Sequence, residues 1–167
     1  MGRLVLVVVG AMVLATAALA ASLVETDRYG GTFLTYAQVD RPDGSYRRML
    51  TTPDVIAAAT AGAPLPDGTR ILMETYYRPG EISTVFHAHK VDGAWQYGSF
   101  NGRRTPNLAT RPQASCLSCH ARAARTDFTF TRPSLDAAAT MGLSQFTCER
   151  GGRSPCDASV YEDGARP

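Results

Sequence analysis

Two cysteines and a histidine in the last third of the chain have the spacing of a covalent cofactor site. Cys116, Cys119 and His120 form the pattern Cys-x-x-Cys-His, which is the attachment signature of a c-type haem. Two cysteines three apart on a helical turn point the same way, so each thiol can form a thioether with one porphyrin vinyl group. The histidine is then held beneath the iron and can ligate it through a ring nitrogen. The motif therefore predicts one covalently attached haem c with His120 as the metal ligand.

Other chemistry is compatible with parts of this motif. A redox-active Cys-x-x-Cys pair normally lies beside a βαβ unit, and no such pattern surrounds these residues. A zinc site would need a second pair of ligands, and Cys148 and Cys156 do not have zinc-ribbon spacing. In an oxidising compartment these two cysteines are instead predicted to form a disulfide. A chance match is the third alternative, and haem is favoured because the chain also begins like an exported protein.

The amino-terminal segment resembles a secretory signal peptide. One arginine precedes an apolar run over residues 4–14, and Ala18-Leu19-Ala20 is a small-x-small cleavage site. We therefore predict a signal peptide over residues 1–20 and a single haem domain over residues 21–167, periplasmic or secreted. An uncleaved membrane anchor is the alternative, because no charged residue lies between positions 4 and 24.

The composition excludes several classes of protein. The chain has 167 residues, of which 44% are apolar and 19% are charged, so it is neither a disordered polyelectrolyte nor a polytopic membrane protein. Seventeen basic and fifteen acidic residues give a net charge of +2, which is too balanced for a nucleic-acid-binding surface, and no nucleic acid partner is predicted. The single lysine, Lys90, excludes any chemistry that needs two lysines.

Alternating apolar and polar residues predict an α+β fold, in which a predominantly antiparallel sheet is joined by a few short helices. Strands are predicted over residues 32–39, 46–50, 69–77, 82–91, 94–100 and 126–131. Helices are predicted over residues 52–61, from residue 115 and from residue 134. Asp92-Gly93 has the sequence of a two-residue hairpin turn.

Candidates for a sixth iron ligand are His87, His89, Met49, Met73 and Met141. The two histidines lie two apart on one predicted strand and so share a face. A distal haem ligand and a solvated outer face are the alternatives for this pair, and the solvated face is favoured. Met73 is favoured as a core residue rather than a ligand.

Aromatic and basic residues of the predicted strands also have two interpretations each. Phe86, Trp95 and Phe100 either line the haem pocket or belong to an ordinary core. Arg47 and Arg48 either reach a haem propionate or remain solvated at the surface, and the surface is favoured.

Three segments resemble the cytochrome P-460 family, which includes cytochrome c′-beta. Residues 66–74 (PDGTRILME) resemble that family's FPDGTVLVKE strand, and residues 95–100 (WQYGSF) resemble its GWGYxxF strand. Residues 116–131, from the haem motif to TDFTFT, are similar to its CxxCH…TDYVFT ending. The likeness covers residues 46–133. It implies a mostly antiparallel β fold, often homodimeric, with His120 as proximal ligand and an open distal side.

The chain departs from that family at one informative position. In cytochrome P-460 itself, a lysine on the LVKE strand is bonded covalently to the porphyrin, and the enzyme oxidises hydroxylamine. Met73 occupies that position here, and Lys90 lies on a different strand. The resemblance is therefore closer to members without a cross-link, whose roles involve small gases or are unknown.

Three functions follow, in order of preference. The first is an exported, five-coordinate c-type haem protein that binds a small gaseous or nitrogenous ligand such as NO. The second is a six-coordinate electron-transfer cytochrome with a redox partner protein. The third is an enzyme that oxidises hydroxylamine or uses peroxide, for which Glu74 is an available acid but faces away from Met73.

Overall fold

A seven-stranded sheet dominates the computed structural model, which describes residues 23–59 and 62–163. The strands are β1 (Val24–Thr26), β2 (Phe33–Asp40), β3 (Tyr46–Thr51), β4 (Arg70–Arg78), β5 (Glu81–Val91), β6 (Ala94–Asn101) and β7 (Ser144–Thr147). Strands β1 to β6 form an antiparallel meander, and β7 pairs in parallel with β2. The predicted α+β fold is confirmed. The predicted signal peptide lies outside the described residues.

Short helices and one 3₁₀ segment complete the fold. They are α1 (Pro53–Ala58), α2 (Ala114–His120), the 3₁₀ segment (Ala121–Thr126), α3 (Arg132–Met141) and α4 (Ser159–Asp163). Pro53 opens α1, where its fixed φ suits a first helical turn and its missing N–H costs no hydrogen bond. Across the described residues, no helix is long and apolar enough to span a membrane.

The turn between β5 and β6 sets which side chains share a face of the sheet. Asp92 and Gly93 have φ values of 50° and 76°, as a two-residue type I′ turn requires, and glycine adopts such a φ at no steric cost. The predicted hairpin is present. Its register places Phe86 opposite Ser99 and His87 opposite Gly98.

The two faces of the sheet carry separate apolar clusters, because successive strand residues point to opposite sides. The larger cluster, on what we call the cavity face, includes Met49, Trp95, Tyr97 and Leu135. The smaller cluster, on what we call the back face, includes Tyr29, Phe33, Leu50, Leu72 and Val85. Helix α3 covers part of the cavity face through Leu135, whose full burial contributes about 2 kcal/mol.

The strand predicted over residues 126–131 is wrong. The 3₁₀ segment ends at Thr126, and the next two residues, Asp127 and Phe128, have left-handed backbones with φ values of 52° and 58°. No strand tolerates two such residues in succession. The threonines and phenylalanines of this stretch favour β structure, but the contacts of the Asp127 carboxylate with other parts of the chain favour a tight turn instead.

Candidate functional site

One cavity of about 510 Å³ on the cavity face of the sheet is lined by Cys116, Cys119 and His120. Its sheet wall is mostly apolar and includes Met49, Ile71, Met73, Phe86, Ala88 and Trp95. Residues 128–131 and 153–156 form further parts of the wall. The volume is typical of a natural small-molecule or cofactor pocket.

Helix α2 presents both thiols of the motif to this cavity. Cys116 and Cys119 are three residues apart on the helix and therefore share one side of it. Both are free thiols, Cys116 half-buried against the larger cluster and Cys119 exposed. The Cys116 thiol donates a hydrogen bond to the Gln113 side-chain oxygen at 3.0 Å. Haem attachment at these positions stays a prediction, but the arrangement it needs is present.

His120 is oriented by its neighbours in a form suited to binding iron. Its Nδ1 lies 2.7 Å from the carbonyl oxygen of Phe128. Nδ1 therefore carries the proton, and the lone pair lies on Nε2. Tyr97 and Phe130 hold the imidazole between them, with ring centroids 5.0 and 5.5 Å away. Burial lowers the pKa of His120, although the hydrogen bond to the Phe128 carbonyl acts in the opposite direction. The lowered pKa favours the neutral ring, which is the form that ligates a metal.

Three of the five candidate sixth ligands border the cavity. Met49 and Met73 pair across β3 and β4 on the cavity face, and both line the cavity. His87 also borders it, but the His87 ring packs on the back face of the sheet. His89 and Met141 are not among the lining residues, and Met141 is exposed.

The solvated outer face favoured for the histidines is wrong for His87, which is only 4% exposed. Its ring lies 5.8 Å from the Phe100 ring and fills the space left by Gly98, where a Cβ would come within 2.5 Å of it. No described residue forms a well-aligned hydrogen bond with either ring nitrogen, although the Asn107 carbonyl lies near enough to favour protonation. Burial, followed by the charge of Arg70, lowers the pKa of His87.

We expect His87 to reduce stability in mild acid. Its folded-state pKa lies below its ordinary value of about 6.5, so the unfolded state binds a proton more readily, and stability present above that value is lost as pH falls through it. The variant His87→Gln should therefore lose less free energy of unfolding between about pH 7 and about pH 5 in urea titrations. His89→Gln, at a less buried site, should change this difference less. The same pH dependence in His87→Gln and wild type would contradict the prediction.

Four arginines line the cavity, and the described lining residues include no aspartate or glutamate. They are Arg41, Arg47, Arg122 and Arg153. The surface solvation favoured for Arg47 is wrong, because Arg41 and Arg47 are each only 6% exposed. Arg41 Nε and Arg47 Nη1 have no hydrogen-bond partner among the described residues, and burial followed by the charge of Arg41 lowers the pKa of Arg47. Such donors suit carboxylates, and the two propionates of a haem are carboxylates.

The predicted disulfide is present and builds the arginine-rich end of the cavity. The disulfide loop, Cys148–Cys156, closes against β2 and β3. Arg41 Nη1 donates a hydrogen bond to the Ser154 carbonyl at 2.7 Å, and Arg47 Nη2 donates one to the Gly152 carbonyl at 2.7 Å. The same two arginines therefore hold the loop and border the cavity.

The groups considered for enzymatic chemistry do not line this cavity. Lys90 Nζ lies 2.8 Å from a carboxylate oxygen of Asp127. Glu74 is buried on the back face, where it accepts hydrogen bonds from the hydroxyls of Tyr29 and Tyr76. A zinc site gains no support either. The disulfide occupies the second cysteine pair, and the described part of the chain contains no group of three or more potential metal-ligating side chains.

Much of the cavity wall is not predicted from the sequence. Arg41, Arg153, Tyr97 and the Phe128–Thr131 segment come together only through the fold. Of the three aromatic residues proposed for the pocket, Phe86 and Trp95 line it, whereas Phe100 packs with the back-face cluster. The sequence feature that points to these arginines is the excess of arginine over lysine in the chain. Arginine, rather than lysine, suits bidentate binding of carboxylates.

The sequence comparison agrees with this site. Residues 82–131 match the Cytochrome P460 family. The matched segment runs from β5 through β6 and the Cys-x-x-Cys-His motif to Thr131, and it confirms the predicted family. No curated protein matches the chain at a significant level.

Proposed function

We propose that the chain is an exported monohaem protein that binds one haem c. The match of residues 82–131 to the Cytochrome P460 family supports a c-type cytochrome. The thiols of Cys116 and Cys119 would form the two thioethers, and His120 would ligate the iron. The observation that carries this proposal is that all three side chains line one cavity of about 510 Å³.

The remaining walls of the cavity fit the same group. Apolar side chains of β3 to β6 would contact a porphyrin face and exclude water. The buried guanidinium groups of Arg41 and Arg47 have unpartnered nitrogens that would donate hydrogen bonds to the propionates. The Phe128 carbonyl holds the His120 ring in the tautomer that leaves Nε2 free. A haem held in this way would supply an iron with one position for a small neutral ligand, for which we propose NO.

A five-coordinate iron is supported by the surroundings of the histidines. Burial of His87 against Phe100 keeps that imidazole on the back face, and His89 is not a lining residue. The apolar sheet wall favours uncharged diatomic ligands over anions, because an anion would lose its hydration there. A six-coordinate electron-transfer cytochrome is the second candidate, since the thioethers of Met49 and Met73 line the same cavity.

The absorption spectrum of the protein made with a haem-attachment system separates these two functions. We expect a high-spin ferric spectrum, and we expect ferrous protein to bind CO and NO without loss of a protein ligand. The variants Met49→Leu and Met73→Leu, which conserve volume, should leave the ferric spectrum unchanged, as should Met141→Leu at an exposed site. A low-spin wild-type spectrum that becomes high-spin in one of the two cavity variants would instead establish the electron-transfer cytochrome.

Export and the absence of hydroxylamine oxidation are parts of the same proposal. The disulfide between Cys148 and Cys156 supports an oxidising compartment such as the periplasm. The ion pair that Lys90 forms with Asp127 argues against a lysine bond to the porphyrin, so hydroxylamine with an electron acceptor should give no turnover. The redox partner and the homodimer that the resemblance implies stay predictions.

A further inference from the structure

The hydrogen-bond acceptor of His120 lies on an unusual turn. The Phe128 carbonyl is 2.7 Å from His120 Nδ1. Phe128 and the residue before it, Asp127, have φ values of 58° and 52°, in the left-handed region that is unfavourable for residues with a side chain. The Phe128 N–H donates to the Ala123 carbonyl at 2.8 Å, which closes the turn locally. A second source of support is needed to hold two such residues in succession.

The carboxylate of Asp127 supplies that support by binding three separate parts of the chain. Its Oδ2 accepts a hydrogen bond from the backbone N–H of Leu65 at 2.8 Å and contacts Lys90 Nζ at 2.8 Å. Its Oδ1 lies 3.4 Å from the indole Nε1 of Trp95. Lys90 Nζ also donates to the Leu65 carbonyl at 2.8 Å. One side chain of the turn is therefore attached to β5, to β6 and to the loop before β4.

These contacts are shielded from solvent, so they are stronger than surface contacts of the same kind. The side chains of Lys90 and Asp127 are 6% and 16% exposed. Lys90 Nζ lies 5.9 Å from the centre of the Trp95 ring, which adds a cation–π contact. Lys90 and Asp127 each also bond the backbone of Leu65. Removing one partner of such a buried pair is costly, because the remaining charge is left without a partner.

We propose that Asp127 is a positioning residue for the iron ligand, and that Lys90 acts through it. By holding the left-handed turn, the pair fixes the Phe128 carbonyl where it accepts a hydrogen bond from His120 Nδ1–H. A hydrogen-bonded imidazole is more basic and a stronger donor to ferric iron. This inference rests on the proposed function, because His120 must be the axial ligand. It also gives the single lysine of the chain a role other than a bond to porphyrin.

Asp127→Asn and Lys90→Met, each in haem-loaded protein, test this role. Asparagine tolerates the left-handed backbone, so the first variant removes the charge that holds the turn without adding a steric conflict of its own. We expect both variants to have a more positive reduction potential than wild type, because the loosened carbonyl no longer stabilises the ferric state through His120. In ferrous protein, the iron–histidine stretching band in the resonance Raman spectrum should move to lower frequency.

Asp136→Asn is the matched control. Among the described residues, Asp136 forms a second buried ion pair, with Arg132, and the two side chains are 16% and 5% exposed. This control should lower thermal stability but leave the potential and the Raman band at wild-type values. The inference is overturned if Asp127→Asn and Lys90→Met keep wild-type values, or if Asp136→Asn shifts them equally. It is also overturned if only Asp136→Asn yields folded protein, since the Asp127–Lys90 pair would then determine folding. Wild type without haem would overturn the proposed function itself.

Discussion

Replacing Cys116 and Cys119 together with alanine is expected to abolish haem attachment completely. The two thiols are the groups that would form the thioethers, and they lie on one side of α2 at the cavity wall. Without them, the haem would be held only by His120 and by contacts with the cavity, and denaturation would release it. Intact mass spectrometry under denaturing conditions should give the mass of the bare polypeptide, and a haem stain of the denaturing gel should be negative.

The matched control is the double variant Ser115→Ala/Ser118→Ala. Both serines are exposed on the same helix, so this variant should acquire haem as wild type does. Single replacements of Cys116 or Cys119 should keep one thioether and yield reduced amounts of attached haem. Full haem mass in the double cysteine variant would contradict the role given to the motif.

Removing the disulfide is expected to have the largest effect on stability. The double variant Cys148→Ser/Cys156→Ser should lose about 2–4 kcal/mol of the free energy of unfolding, because the cross-link no longer restricts the unfolded chain. The disulfide loop also meets the arginine-rich end of the cavity. Its release should therefore affect the site as well as the fold. Urea denaturation monitored by circular dichroism measures the loss of stability.

Limited proteolysis with trypsin measures how far the disulfide loop itself is loosened. Arg150 and Arg153 lie in the disulfide loop, and Arg153 is exposed. Cleavage after these residues should become faster in the double serine variant. Cleavage after Arg103 and Arg104, which are exposed on the segment after β6, should keep its wild-type rate. An unchanged urea midpoint together with unchanged cleavage would show that the arginine contacts alone hold the loop.

Strands β2 to β6 are largely predictable from the sequence, because the alternation of apolar and polar residues and the turn motifs are local features. The Asp92-Gly93 turn forms one hairpin at the predicted position. Short strands carry less signal: β1 and β7 have three and four residues, too few for a pattern to be recognised. The Cys-x-x-Cys-His motif is predictable for the same reason as the hairpin, since its meaning depends on spacing alone.

The predictions that are wrong share one cause, which is contact between residues that are distant in the sequence. Alternation correctly places His87 on the face opposite Phe86, but it cannot show that other residues cover that face and bury the imidazole. Asp127 lies in a stretch with β-forming residues, but its backbone is left-handed and its carboxylate binds Lys90, 37 positions earlier. Arg47 is buried because the disulfide loop, more than a hundred residues later, provides its acceptor.

The burial of Lys90 has a practical consequence for chemical labelling. Its ammonium group is the only side-chain amine in the sequence, and it is enclosed by a carboxylate, a carbonyl and an indole ring. Amine-selective reagents such as activated esters should therefore leave it unmodified while the protein is folded. The rate at which Lys90 becomes acylated would then report the opening of this region at one defined position and without an engineered probe.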